Sequence, residues 1–157
     1  MNIELIVVGK TDSKEVDALV SLYTKRINFY TKFSITYIPD VRFTKNLSET
    51  EQKRVEGEAI LKLINDSDRV VLLDERGAEY NSVEFADFLQ KKMNSGVKRV
   101  AFIIGGPYGF SETVYKRAND KISLSRMTFS HQIVRAIFTE QLYRGFTIIR
   151  GEPYHHQ

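Results

Sequence analysis

Short apolar runs and stripes of helical period alternate along this chain. Ile3 to Val8 is apolar except for Glu4 and reads as a first, buried strand ending at Gly9. Asp12-x-x-Glu15 then has the spacing of a capping box, and Val16, Leu19, Val20, Tyr23 and Ile27 recur at helical intervals. That predicts a helix leaving Lys14, Asp17, Lys25 and Arg26 in solvent. Phe33 to Ile38 alternates enough for a strand near a sheet edge, and Pro39 stops it. A polar loop with Arg42 and Lys45 leads to Ser48-x-x-Glu51, which opens a second helix with Val55, Ala59, Ile60, Leu63 and Ile64 as its buried stripe. Asn65-Asp66-Ser67-Asp68 ends that helix.

Val70 to Leu73 is a short apolar strand running into the loop Asp74-Glu75-Arg76-Gly77, and Asn81 with Glu84 caps a helix that turns Phe85, Phe88, Leu89 and Met93 inward. The next strand belongs to Val100 to Phe110, VAFIIGGPYGF, in which five apolar residues meet glycines spaced G-G-x-x-G. Gly105, Gly106 and Gly109 can take positive φ and let another molecule approach the backbone, so the segment fits either a ligand loop or a tight turn into a helix. Ser111 caps a short helix through Ala118, and Ile122 to Leu124 makes a last short strand. After LSRMTFSH come a helix, the segment Thr147 to Arg150 and a tail. The order βαβαβαβ with crossover-length connections predicts an α/β fold: one domain over residues 1–157, a mainly parallel sheet, helices on both faces.

Composition narrows the setting. With 157 residues the chain supports a core without staples, and the absence of cysteine excludes disulfides and thiolate metal sites, which favours a cytoplasmic protein. The N-terminus resembles a strand, not a signal peptide or membrane span. Residues 1–120 carry 18 basic and 18 acidic side chains, so the whole net charge of +3 lies in residues 121–157, on Lys121, Arg126, Arg135, Arg144 and Arg150 against Glu140 and Glu152. A local basic surface suits a polyanion such as RNA, or is ordinary solubilising charge.

On the C-terminal helix, 100° per residue puts Gln132, Arg135, Thr139 and Tyr143 on a polar stripe opposite Ile133, Val134, Ile137 and Phe138. Glu140 and Arg144 break the pattern, four apart on the side of Ile133 and Ile137. Pairs of that spacing contribute only about 0.2–0.5 kcal/mol, so these two line a site, face a partner subunit, or pair where the apolar face has run out. His131 suits a helix start, where such a residue caps or fills space as readily as it acts. Tyr154-His155-His156 is a frayed tail or a weak chelator by default, and without a fixed carboxylate or thiolate it makes no metal signature. No dinucleotide fingerprint follows the first strand and no P-loop lysine follows the glycine cluster.

Taken together, IIGGPYGF and LSRMTFSHQIVRAIFTEQLYRGFTIIRGEPYHH, with VVGK, YIPD and LDERG, resemble the RlmH-type methyltransferases of the SPOUT class across essentially the whole chain. These act on N3 of a pseudouridine in bacterial large-subunit (23S) ribosomal RNA. The resemblance implies a C-terminal trefoil knot, a homodimer, S-adenosylmethionine as cofactor, no metal, no membrane, and a ribosomal RNA substrate on the assembled ribosome. By position it assigns the cofactor to Leu73, Gly105, Leu124, Ser125, Arg126, Met127, Thr128 and Phe129. It gives catalysis to His131, Glu140, Arg144, Tyr154 and His155, with Tyr143 beside them, in a site completed across the dimer. His155 or Glu140 is then the expected base and Arg144 the stabiliser of developing charge. His156 stands where the family often carries a basic residue. An RNA-binding module that lost the chemistry and a small-ligand α/β protein are the rival readings.

Overall fold

Strand formation follows the apolar runs closely. The computed structural model describes residues 1–41 and 46–156, so the expected loop cations Arg42 and Lys45 lie outside the described residues. Five strands, β1 (Asn2–Val8), β2 (Phe33–Ile38), β3 (Arg69–Glu79), β4 (Arg99–Ile104) and β5 (Asp120–Ser123), form one sheet in the order β2-β1-β4-β3-β5. Every pairing is parallel. β2 takes the edge, as its alternation predicts.

Five helices cover the sheet: α1 (Lys14–Ile27), α2 (Glu49–Lys62), α3 (Ser82–Asn94), α4 (Glu112–Arg117) and α5 (Ile133–Ile149). Because strand side chains alternate faces, Leu5, Val7, Val71, Phe102 and Ile104 pack with Ile27, Phe85, Phe138 and Leu142, from α1, α3 and α5. Ile6, Val8, Leu72, Ala101 and Ile103 meet Ile60 and Val114, from α2 and α4, on the other face. This is a single-domain α/β fold with helices on both faces, and no helix among the described residues is long and apolar enough to cross a membrane.

Four local expectations are corrected. The cap of α1 is Ser13, whose hydroxyl accepts from the Val16 N–H; Asp12 instead donates its backbone N–H to Gln132 Oε1 at 2.8 Å. The Asp74 to Gly77 segment is not an open loop. β3 continues through it, shifts register between Leu73 and Ala78, and pairs again with β5. A Cβ at Gly77 would stand 2.5 Å from the Ile122 nitrogen, so only glycine lets the two backbones approach. Ser111 precedes α4 without a side-chain capping bond. Leu19, expected inward on α1, is exposed, because the buried stripe narrows to Val16, Val20 and Ile27.

The largest departure is in α5. Thr147 to Arg150 is no separate segment, since the helix runs through Ile149, and its supposed polar stripe faces inward. Arg135 is only 1% exposed, while Ile133 is exposed. The Arg135 guanidinium donates to the carbonyls of Val8 and His131 and to Thr11 Oγ1, at 2.8–2.9 Å. Thr139 Oγ1 donates back to the Arg135 carbonyl. Gln132 Nε2 donates to the Lys10 carbonyl at 3.0 Å. The inward polar residues thus satisfy the backbone where β1 leaves the sheet, which hydropathy cannot foresee. Burial lowers the guanidinium pKa from its ordinary value.

Candidate functional site

Two constellations lie at the carboxyl end of the sheet and along α5. The first is a cleft of about 710 Å³ beyond the ends of β3, β4 and β5, the place where open parallel sheets take ligands. Register builds it: Leu73 lies opposite both Ile104 and Ile122, so the chain leaves three adjacent strands at nearly one level. Of the residues named for a cofactor, Leu73, Gly105, Leu124, Ser125, Met127, Thr128 and Phe129 line this cleft, and so does His131. Arg126 does not. Its side chain turns to solvent, with Glu79 at 3.8 Å. Ser125 shapes the intervening loop: its hydroxyl accepts from the Met127 N–H at 2.9 Å and its carbonyl from Ser123 Oγ at 3.0 Å.

The glycines work differently from the sequence expectation. Of Gly105, Gly106 and Gly109, only Gly109 has positive φ, +80°, closing a turn in which its N–H donates to the Gly106 carbonyl at 3.1 Å. Gly105 does not leave room for a ligand on its Cα side, because the Phe110 ring fills it, 3.0 Å from where a Cβ would stand. At Gly106 the space is taken by the Glu56 carboxylate, 2.6 Å from where a Cβ would stand. Glu56 is 2% exposed and accepts from Gln52 Nε2 at 3.0 Å. The wall is therefore rigid because neighbouring side chains pack into its gaps.

Sequence reasoning missed the polar rim of this cleft. The Tyr115 hydroxyl donates to Asp74 and accepts from Arg76 Nη2, the latter at 3.0 Å. Burial and then the bond to Asp74 raise the Tyr115 pKa, and the Tyr115 contact likewise raises that of Arg76. Asp74 sits at the register shift of β3, so an acidic residue directly after an apolar strand was the available signal.

The second constellation joins α5 to the tail. Glu140 Oε1 accepts from Arg144 Nε at 3.1 Å, from Arg144 Nη2 at 2.5 Å and from the Tyr154 hydroxyl at 3.1 Å, while Oε2 accepts from Gln141. Arg144 Nη1 lies 3.2 Å from His155 Nδ1. Arginine has no acceptor, so Nδ1 accepts and the ring proton sits on Nε2. The guanidinium also lies 4.7 Å over the Tyr154 ring. Its pKa is raised first by the Glu140 bonds. That of Tyr154 is raised by burial, then by a bond to Tyr23 and by Glu140. Hence the tail is docked, not frayed.

One chain does not unite the two groups. His131 belongs to the cleft, whereas Glu140, Arg144, Tyr154 and His155 cluster beyond it. Val134, which lines the cleft, and Arg144 are ten residues apart, about 15 Å along the axis of α5.

The sequence matches known proteins along essentially the whole chain. Residues 1–155 match the family described as "Predicted SPOUT methyltransferase". Over 157 residues, covering all of both chains, the sequence is 61% identical to a protein of Flavobacterium johnsoniae named ribosomal RNA large subunit methyltransferase H. Proteins of the same name from Parabacteroides distasonis and Bacteroides thetaiotaomicron are 53% and 50% identical, again over the full length of both chains. This likeness from end to end, in a chain whose parallel sheet opens into a cleft at its carboxyl end, places it in the SPOUT methyltransferase family.

Proposed function

We propose that this methyltransferase uses S-adenosylmethionine to methylate N3 of a pseudouridine in large-subunit ribosomal RNA, acting as a cytoplasmic homodimer on the assembled ribosome. The observation that carries the reading is the meeting, in one cleft, of three segments far apart in sequence: Leu73, Gly105 and the 124–129 loop. The full-length relatives named as ribosomal RNA methyltransferases support the substrate. The family likeness also implies the C-terminal trefoil knot, formed within a single SPOUT domain over residues 1–157.

The residues present fit the cofactor. Leu73, Ile104, Leu124, Phe129 and Val134 give apolar walls for an adenine, and the backbone of 124–129 offers donors and acceptors. Leu73, Gly105, Leu124, Ser125, Met127, Thr128 and Phe129 would hold it. Arg126 would reach it only by turning back from solvent. S-adenosylmethionine supplies an electrophilic methyl group on a good leaving group, so the protein has to orient the base and manage one proton.

Glu140 is poorly disposed as a base, since both its oxygens already accept hydrogen bonds and one faces the Arg144 guanidinium. His155 spends its Nδ1 lone pair on the same cation. The cluster therefore works as a set of donors: Glu140 and Tyr154 fix Arg144, and Arg144 with the His155 Nε2–H stabilises negative charge on the uracil oxygens as N3 passes its proton to solvent water. The 15 Å or so between Val134 and Arg144 favours a site in which the tail cluster of one copy serves the cleft of the other, which is our reason for the homodimer.

The test is mass spectrometry of ribosomal RNA nucleosides after incubating the protein and labelled cofactor with ribosomes lacking the modification, and with free RNA in parallel. Label on a pseudouridine, with ribosomes preferred over free RNA, is the expected result. Equal rates on both would remove the assembled ribosome from the proposal, and absence of label would remove the function.

A further inference from the structure

A second concavity, of about 430 Å³, lies between the end of α1 and the end of α5. Arg26, Phe29, Tyr30, Tyr143, Arg150 and Glu152 line it. Phe29 is 84% exposed in the turn that ends α1. Beneath it the floor is fixed. Tyr30 stacks on Phe146 with centroids 5.7 Å apart and planes 9° from parallel, and its hydroxyl donates to Glu152 Oε2 at 2.6 Å. Burial, and then that carboxylate, push the Tyr30 pKa up to about 12, so the hydroxyl remains a donor at neutral pH.

The charges are arranged around the aromatic floor. The Arg26 guanidinium lies 5.5 Å from the Tyr143 ring and 5.7 Å from that of Tyr23. Arg150 is exposed at the end of α5, and the one acid of the groove, Glu152, is already engaged by Tyr30. The groove adjoins the tail cluster directly, because Tyr143 forms its inner wall and meets the Tyr154 ring edge to face at 4.7 Å. An exposed aromatic ring flanked by arginines is what single-stranded nucleic acid needs: bases stack on the ring and phosphates pair with the cations. A second copy of the chain fits less well, since a two-fold contact centred on the groove would set Arg26 and Arg150 against their own copies.

We propose that this groove is a nucleotide subsite, in which Phe29 stacks an unpaired RNA base next to the target nucleotide while Arg26 and Arg150 hold its phosphates. The proposal rests on the ribosomal RNA reading above and extends it. The subsite explains how so small a chain keeps a flanking nucleotide splayed while the tail cluster handles the target.

The test uses the full chain. Fluorescence anisotropy with a labelled single-stranded RNA heptamer is run on wild type, Phe29→Ala, Phe29→Tyr and Arg150→Gln, with light scattering for oligomeric state. Methyl transfer to unmodified ribosomes is measured beside it. Phe29→Ala is expected to weaken heptamer binding roughly five- to tenfold, and Phe29→Tyr to restore it. Arg150→Gln should lower the salt dependence by a slope of about 0.7, one phosphate contact. On ribosomes the Phe29→Ala loss falls on KM more than on kcat. The proposal is overturned if Phe29→Ala binds the heptamer as wild type does, or if it changes the oligomeric state, which would make the groove a contact between copies. Wild type that binds the heptamer through Phe29 but methylates no ribosome would sink the functional reading and leave the subsite standing.

Discussion

The carboxylate of Glu56 on α2 occupies the place where a side chain at Gly106 would begin: a Cβ there would lie 2.6 Å from Oε2 and 2.7 Å from Oε1. A glutamate end is normally free to swing away. This one is buried and bonded to Gln52, so it holds its place and the glycine turn is clamped between α2 and the strand it follows. Gly106→Ala should push the turn into the cleft and weaken S-adenosylmethionine binding by about tenfold, the size of a typical overpacking penalty of one to a few kcal/mol. Isothermal titration calorimetry measures it; an unchanged affinity would mean the turn is no wall of the cofactor site.

The tail cluster is separate from the cleft within one chain, so substitutions there should divide kinetics from cofactor binding. Arg144→Lys keeps the charge but loses the fork that meets Glu140 and His155. We expect kcat for ribosome methylation to fall about a hundredfold, as for loss of one preorganised donor, with cofactor affinity changed by less than about threefold. Glu140→Gln and His155→Ala should fall in the same direction. If Arg144→Ala, Glu140→Gln and His155→Ala all turned over like wild type, the cluster would not be the active site.

Asp120, at the start of β5, is bracketed by Arg69 Nε at 2.9 Å and Lys92 Nζ at 3.2 Å. Burial pushes its pKa up, but the bonds and charges of Arg69 and Lys92 outweigh that and leave it below the ordinary value. A depressed folded-state pKa stabilises the protein above the unfolded value of about 3.9, and the gain is lost as pH falls through the lower, folded value. Asp120→Asn should therefore cost about 1–2 kcal/mol at pH 7, and its gap from wild type in urea midpoint should close only below about pH 4. A gap that disappears already at pH 6 would assign the effect to another group.

Gly77 lies where β3 and β5 resume pairing after the register shift, and the atoms nearest a Cβ there are backbone, at 2.5–2.7 Å. Backbone in a parallel pair cannot yield without breaking the ladder. Gly77→Ala should lower stability by about 3 kcal/mol, read as a drop in melting temperature of roughly 6–12 °C. A melting temperature within 2 °C of wild type would show that the strands separate there at little cost.

Much of the architecture was written into the chain locally. Apolar runs gave β1, β2 and β4 nearly to the residue, and the capping pairs Ser48/Glu51 and Asn81/Glu84 opened α2 and α3 where the spacing put them. Residue identity also picked out Leu73, Gly105 and the 124–129 loop through their family likeness, and the cleft gathers all of them except Arg126.

What the local pattern read wrongly had a common cause: the neighbour that decides a residue's surroundings is brought there by packing. Arg135 looks like a surface cation until Val8 and Thr11, more than 120 residues earlier, accept its hydrogen bonds. Gly105 and Gly106 look like open space until Phe110 and Glu56 fill it. The segment after Leu73 looks like a loop until β5 arrives to pair with it. Periodicity and caps act within a turn or two of the chain, so they fix the elements. Burial of a charge, the closeness of two backbones and the distance from the cleft to the Arg144 cluster depend on which elements end up side by side, and only the packed sheet and its helices set those.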